Sequence, residues 1–522
     1  MVAVFGTECE FGITVTADSH SVCPNHRELA HALVQAVVQQ HPHLKAPPPW
    51  PHYMLGQGGA IYQDGGHPEI CTAECVSPRD LVAQQFALRL MLVDAAKLVG
   101  RAYGRRVGVL AANIDYAPEP HTFGYHVNLQ ADGALSREAL NRQLAPLIVA
   151  LPLIHGTGRI SFDSSSPGFE ISQRAGFMCK VAGKRTTDTR ALITAKDESL
   201  ADAQWRRVHL IAIDSPISPV AAYLVPAILW LSLRLLEHGR DIGLQFDLAD
   251  PITSLRRVSC DLTLNAPLDL KNGGTTTALD ILYAYHEAAR DLASQSDMPD
   301  WVGHAMLVWS EIMEKLAADP FREDRLDWVG KLIILSDLLV DADLSWERLA
   351  KWLPVIAFLR QLRSGSKHVD LLDIDSAQVA ARCLPQSAFG VLSPRMERNN
   401  LSWSDFPAAI RVVTRLCSVC LSYHLLGDRP WLCDGLAAGS LDANIVSESD
   451  IERAKTSPPR GTRAAIRAAE IMRLSTDQQA QAWWTRIETP SRRFIMADPS
   501  GRGAEWIEKK GKSPATHQDT GG

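Results

Sequence analysis

Tyr62-Gln63-Asp64-Gly65-Gly66-His67-Pro68-Glu69, with Glu74 a few residues on, carries an unusual load of acid for one hairpin-like stretch. It answers a second acidic segment near the N-terminus, Gly6-Thr7-Glu8-Cys9-Glu10-Phe11-Gly12-Ile13. In a β-strand, residues two apart share a face. Glu8 and Glu10 therefore point one way, while Cys9, Phe11, Ile13 and Val15 point the other and pack into a core. Tyr62 and Asp64 share a face by the same rule. Four or five acidic side chains, delivered by two strands and the turn after one of them, could face a common hollow. Carboxylates so placed repel one another unless protonated or neutralised. A hard divalent cation such as Mg2+, which takes oxygen ligands, is the natural neutraliser. The bland alternative is a half-buried sheet whose solvated face happens to carry the glutamates.

The chain has 522 residues, more than one core of ordinary size supports, so a large domain plus a smaller one is expected. With 46% hydrophobic and 21% charged residues it reads as globular. Lys+Arg 53 against Asp+Glu 59 leaves a net charge of −6, which argues against a nucleic-acid partner. Met1 to Glu8 lack a basic segment followed by a cleavable apolar one, so no signal peptide is expected. The most apolar window, Val220 to Leu236, contains Pro226 and Arg234 and reads as a buried helix, with no membrane partner. Ten cysteines in so long a chain fit a reduced, cytoplasmic protein. Cys417-Ser-Val-Cys420 sits in an apolar helical run without a second pair, so two buried thiols are expected there, not zinc.

Asn25 with Glu28 reads as a capping box for a helix. The prolines between His41 and His52 make a stiff loop. Ser77-Pro78 starts a long amphipathic helix running to Gly100 or Gly104. Val107 to Asp115 reads as a strand, and so does His121 to Gln130, where Tyr125, Val127 and Leu129 oppose Gly124, His126 and Asn128. Further strands are expected around His155 to Arg159 and Pro167 to Arg174, and helices from Pro219 to Leu426. The expected division is 1–440 for the large domain, 441–510 for a small C-terminal one, and a disordered tail over 511–522.

These segments, taken in order, resemble the Pup ligase and Pup deamidase/depupylase family of the glutamine synthetase-like carboxylate–amine ligases. The resemblance rests on Gly6 to Gly12, on Tyr62 to Cys75, and on Ile171-Ser-Gln-Arg174 and Lys196-Asp-Glu198. It continues at Arg206-Arg-Val-His209, Asp327-Trp-Val-Gly-Lys331, Pro458-Pro-Arg-Gly-Thr-Arg-Ala464 and Trp484-Thr-Arg-Ile487. It implies an α+β fold: a curved antiparallel sheet packed by helices, holding ATP and Mg2+, with the small domain against it. By analogy Glu8, Glu10, Tyr62 and Glu69 hold the metal, and Asp64 matches the catalytic aspartate. Glu74, His126, Asn128, Arg174, Lys196, Arg463 and Trp484 fall on the nucleotide and phosphate side. The implied chemistry is phosphorylation of the C-terminal glutamate of Pup, or of another small protein or peptide, followed by attack of a target lysine. The short connection between the two acidic strands resembles the ligase branch more than the deamidase branch.

Three departures qualify the likeness. The family's His-Glu-Asn-Tyr reads His126-Val127-Asn128-Leu129, its Asn-Thr-Arg-Asp-Glu-Pro-His reads Thr194 to Leu200 with Lys196 for arginine, and the stretch after Asp214 lacks the family's Asn, Glu and Lys. Lysine keeps the charge but loses the bidentate fork. If these changes fall on the acceptor side, a divergent paralogue is expected. Three functions then compete: an ATP-dependent ligase, a phosphotransferase with another acceptor, and a non-catalytic binding protein.

Overall fold

The structure, a computed structural model, describes residues 3–16, 24–49, 52–117, 120–163, 165–185, 189–194, 201–363, 371–428 and 444–509. Its strands in chain order begin with β1 (Phe5–Glu10), β2 (Gly12–Val15), β3 (His43–Lys45), β4 (Tyr53–Leu55), β5 (Ala60–Asp64) and β6 (His67–Cys71). Next come β7 (Val107–Leu110), β8 (Tyr125–Asp132), β9 (Arg159–Ser161), β10 (Gly168–Glu170), β11 (Lys180–Gly183), β12 (Ala191–Thr194) and β13 (Trp205–Leu210). A small ribbon, β14 (Leu268–Asp269) and β15 (Thr275–Thr276), precedes β16 (Gln481–Trp483), β17 (Arg486–Glu488), β18 (Arg492–Ile495) and β19 (Glu505–Glu508).

Among the described residues the main sheet has nine strands in the order β11-β12-β13-β8-β1-β6-β5-β4-β3. All its pairings are antiparallel except β11 with β12. This is the α+β architecture expected. β1 lies inside the sheet, between β6 and β8, and its burial alternates: Phe5, Thr7 and Cys9 are buried, while Gly6, Glu8 and Glu10 are half-buried. Period-two patterning fixes which side chains meet, because a one-residue slip would turn every glutamate into the core.

The acidic N-terminal segment is not one strand. Beyond Glu10, which pairs with Glu69, the next partner is Pro68, which has no N–H to give. Phe11, fully buried, donates its N–H to Pro68 O at 3.0 Å, and Gly12–Val15 turns away to pair with β7. The strands expected at Val107 to Asp115 and Pro167 to Arg174 are likewise shorter, and His155 ends a one-turn helix, Pro152–His155.

The helices begin where their caps say. Helix His26–Gln40 has the full capping box, with Glu28 N donating to Asn25 Oδ1 at 2.9 Å and Asn25 N to Glu28 Oε2 at 3.2 Å. Helix Pro78–Tyr103 starts after Ser77 and stops at Gly104, whose φ of 63° suits glycine. Helix Pro219–Glu237 is apolar and long enough to cross a membrane by composition, but 94% of that window is buried in the protein. It reads as a core helix.

The last part of the run read as helices, to Leu426, is built into the main core. Helix Phe406–Ser422 buries Val413, Leu416, Cys417 and Cys420. Burial pushes the Cys417 thiol up to about 12, as suits an inert buried thiol. Beyond the helix, His424 is fully buried, 2.8 Å from Lys331 Nζ. Helix Arg463–Leu474 and the sheet β16-β17-β18-β19 enclose Ile471, Leu474, Ile487, Phe494 and Met496, and these pack on Leu44, Met54, Ala60 and Cys71 of the main sheet. The boundary expected at 440/441 and the tail at 511–522 lie outside the described residues.

Among the described residues, the departures from the family pattern do not fall on the acidic face. Val127 is 1% exposed and belongs to the core beneath the sheet, because on β8 it alternates with His126 and Asn128. Val225 is buried within its helix, and Ser215 is buried, accepting from Arg89 at 3.1 Å. These departures from the family pattern are internal repacking. They do not line the acidic face.

Candidate functional site

The β5–β6 hairpin turns through Gly65 (φ 58°) and Gly66 (φ 142°), conformations costly for any side chain. A Cβ on Gly66 would also stand 2.9 Å from the His26 ring. The turn leaves Asp64 exposed opposite His67 and sets Tyr62 across from Glu69, which in turn faces Glu10 on β1. Carboxylate oxygens of Glu10, Asp64 and Glu69 all lie within 4.8 Å of one another. Glu10 is anchored by the Gly124 N–H, which donates to its Oε2 at 2.7 Å. Burial, and then the charges of Glu8 and Glu10, push the Glu69 carboxyl well above the usual range. Among the described residues this is a set of acids without a shared counter-ion, the condition a divalent cation relieves. Tyr62, its hydroxyl 3.5 Å from Cys71 Sγ, is also pushed up by burial and the neighbouring acids.

Glu8 lives differently. Arg207 NH2 donates to its Oε1 at 2.5 Å, and Asn128 Nδ2 does so at 3.1 Å. His126 Nδ1 stands 3.1 Å from Oε2. Burial would raise this carboxyl, but Arg207 and the adjacent histidines outweigh it and hold Glu8 well below its ordinary value. His209, 1% exposed, points its Nε2 at the same oxygen from 3.6 Å, and burial drives its imidazole down to about 3. Glu8, His126 and His209 form a second group whose ligand atoms lie within 4.8 Å of one another.

Beside both groups opens a cleft of 610 Å3 between the main sheet and the C-terminal segment. Tyr62, His52, Trp483 and Trp484 supply its aromatic wall, and Arg206, Arg207 and Arg463 its cations. The His52 and Tyr62 rings are 3.8 Å apart, and Trp483 meets His52 edge-on at 5.0 Å. Glu74 seals the seam: Arg463 Nε reaches its Oε1 at 2.7 Å, Arg467 NH2 its Oε2 at 2.5 Å, and Arg467 NH1 its Oε1 at 3.1 Å. Burial opposes ionisation, yet Arg467 and Arg463 hold this carboxyl at about 2. Arg467 also lies 4.9 Å over the Trp484 ring.

The residues expected on the metal side thus meet on one face, although Glu8 stands in its own group. His126 and Asn128 flank Glu8. Glu74 and Arg463 are partners of one another at the cleft wall. Arg174 sits behind Glu10, 4% exposed, with Nε on Ile211 O at 2.8 Å and NH1 on Phe123 O at 2.7 Å. Burial lowers its guanidinium to about 10 despite the attraction of Glu10 and Asp214. Lys196 lies outside the described residues. Sequence reasoning missed Arg207, His209, Arg467, His52 and Trp483 as site residues. The alternation Trp205, Arg207, His209 against Arg206, Val208, Leu210 marks β13 as a half-polar strand, but not which strand it joins.

The family profile described as Pup-ligase protein matches residues 3–353 and 367–488. The chain belongs to that family. Its curated relatives include a Pup–protein ligase of Corynebacterium jeikeium, 26% identical over 529 residues and covering 97% of each chain. A Pup deamidase/depupylase of Mycolicibacterium smegmatis is 26% identical over 435 residues, 82% of this chain and 74% of that protein. A Pup–protein ligase of Acidimicrobium ferrooxidans is 32% identical over 349 residues, 64% of this chain and 73% of its own. Among solved structures, the Pup–PafA ligase complex aligns with a TM-score of 0.66 at 21% identity, covering 97% of this chain and 87% of that one. The PafA ligase with ADP gives 0.62 at 21% identity, over 94% and 93%. The Pup-ligase family member described here thus shares its fold with both.

Proposed function

We propose that this Pup-ligase family member is an ATP- and Mg2+-dependent enzyme that activates a carboxylate of Pup, or of a similar small protein, and joins it to an amine. The observation that carries this reading is the adjacency of the Glu10, Asp64 and Glu69 oxygens, within 4.8 Å of one another, to a 610 Å3 cleft that Asp64 also lines. The raised Glu69 carboxyl fits a cation: three oxygen donors lacking a common counter-ion match the preference of Mg2+. Glu10 and Glu69 would hold it, with Asp64 at the rim, and it supplies neutralisation of the charge on a transferred phosphoryl group.

The remaining work falls to the chain's own side chains. Arg206, Arg207 and Arg463 face the cleft as cations for phosphates, and the Tyr62, His52, Trp483 and Trp484 rings offer a surface for a nucleobase. Transfer of the γ-phosphoryl group to a carboxylate releases ADP and leaves an acyl phosphate. The amine then attacks the acyl carbon, the C–O bond to phosphate breaks, and Asp64, exposed beside the acids, takes the amine proton.

The core positions of Val127 and Val225 support the ligase reading over a phosphotransferase with a foreign acceptor. Hydrolysis of an existing Pup linkage is the second reading, favoured by the depupylase among the relatives. The test is a γ-phosphate transfer assay with Mg2+, run with and without Pup and a lysine-bearing target. Pup-dependent phosphate release together with an amide-linked adduct is expected. Loss of a preformed adduct without ATP turnover would favour the second reading. Label retained on another acceptor would overturn both.

A further inference from the structure

We propose that Asn113 is a positioning residue for Glu10, acting through the single peptide that joins Phe123 to Gly124. The proposal rests on the reading of Glu10 as a cation holder, and it adds a residue that does not itself line the cleft. Gly124 holds Glu10 at two points. Its N–H donates to Glu10 Oε2 at 2.7 Å, and its carbonyl accepts from Glu10 N at 2.9 Å. This close approach leaves no room for a side chain. A Cβ on Gly124 would stand 2.9 Å from His126 Nε2 and 3.1 Å from Glu10 Oε1.

The N–H that meets the carboxylate belongs to the same amide as Phe123 O. That oxygen takes two donors, Asn113 Nδ2 at 2.9 Å and Arg174 NH1 at 2.7 Å. Donors on the oxygen of an amide polarise it and strengthen the hydrogen bond that its N–H gives. The guanidinium of Arg174 thereby reaches Glu10 through the peptide, and Asn113 fixes the plane in which that peptide lies.

Asn113 is itself held on every side. It is 1% exposed, its N–H donates to Gln173 Oε1 at 2.7 Å, and its Oδ1 accepts from Ser215 N at 2.7 Å. Its carbonyl accepts from Phe123 N at 3.0 Å, so Phe123 is gripped at both its N–H and its C=O by one residue. A primary amide offers the donor for Phe123 O and the acceptor for Ser215 N on one planar group. The Phe123 ring then lies edge-on to His67 at 4.8 Å, on the hairpin that carries Asp64 and Glu69. Loss of the Asn113 grip frees the Phe123–Gly124 peptide to turn, and with it the N–H that sets Glu10 against those two acids.

The experiment reads Glu10 in two ways on the full chain, neither of them turnover. In metal-free protein, carbodiimide coupling to glycine ethyl ester labels carboxylates as they come free, and mass spectrometry follows the peptide that holds Glu10. Mn2+ affinity is then measured by electron paramagnetic resonance of the free ion. Asn113→Ala should label faster at Glu10 than wild type and bind Mn2+ roughly tenfold more weakly, the low end for residues that orient a metal ligand. Gln143→Ala is the control. That buried amide bonds Ser232 O at 2.9 Å and the Gly243 N–H at 3.2 Å, joining helices Arg137–Ala150 and Pro219–Glu237, and its loss should leave both readings at wild type. Unchanged labelling of Glu10 in Asn113→Ala, unchanged Mn2+ affinity where wild type binds the ion, or the same changes in Gln143→Ala would overturn the proposal. Should Asn113→Ala not fold, Asn113→Ser, whose hydroxyl is one bond too short for Phe123 O, must show both changes, and wild-type values would count equally against it. Wild type that binds no Mn2+ would sink the cation reading alone, since labelling of metal-free protein still decides what Asn113 does.

Discussion

Glu69 and Glu74 are five residues apart, yet their surroundings are opposite. Glu69 is 3% exposed among other acids and is pushed well above the usual carboxylate range. Glu74 is clasped by Arg463 and Arg467 and held at about 2. Both are desolvated, so burial alone does not separate them. The partner does. A carboxylate satisfied by the chain's own cations is a structural clasp, and one crowded by its own kind is left without a cation among the described residues. A buried glutamate in this fold is therefore read by what faces it.

Breaking the clasp should have the largest effect. Arg467→Ala removes a fully buried guanidinium and leaves Glu74 half-answered, a change that costs about 3–5 kcal/mol when one partner of a buried pair is lost. Denaturant unfolding measures it, and a loss under about 1 kcal/mol would refute the clasp. Asp64→Asn should lower turnover by about 10²–10⁴-fold, the usual worth of a positioned base, with Mg·ATP affinity nearly intact by calorimetry. Unchanged turnover would take Asp64 out of the chemistry.

The two glutamates should also bend the pH–stability curve in opposite senses. Glu74, depressed from 4.5 to about 2, contributes stability that is present above pH 4.5 and lost as pH falls toward 2. Glu69, raised above 4.5, contributes stability that is present below pH 4.5 and lost as pH rises through its folded value. In cation-free buffer above pH 4.5, Glu69 should thus give a falling slope of up to about 1.4 kcal/mol per pH unit. Glu69→Gln or saturating Mg2+ should flatten it, and a slope indifferent to both would show that the crowding is not felt. The smallest effect belongs to the exposed pair Arg79–Asp450, 2.8 Å apart with Arg79 46% exposed, which joins helix Pro78–Tyr103 to helix Glu448–Ala454. Arg79→Ala should cost less than about 1 kcal/mol. A larger loss would mean that surface pairs also hold the seam.

Local rules carried far in this sequence. The alternation in Gly6 to Glu10 placed Glu8 and Glu10 on one face, and Asn25, Ser77 and Pro78 marked helix starts that the structure keeps. What stayed hidden is what depends on pairing across long separations. Arg207 reaches Glu8 over 199 positions, and nothing local says that β13 lies beside β8. Val127 is the contrary case: alternation in His121 to Gln130 already set it with Tyr125 and Leu129 opposite His126 and Asn128, and β8 keeps it in the core. Arg467 was invisible as the second arm of the clasp because a helix face declares its apolar side, not its distant acid.

The clasp also sets a clock. Glu74 and Arg463 are 389 positions apart, and a ribosome adds about 5–20 residues per second. A nascent chain therefore carries Glu74 for roughly 20–80 s before its first arginine is made. Through that interval the edge of the main sheet that later meets Ile471, Ile487 and Phe494 has no cover. The newborn chain must either keep that edge unformed or have it shielded by something else, which makes the last tenth of synthesis the step that commits the cleft to exist.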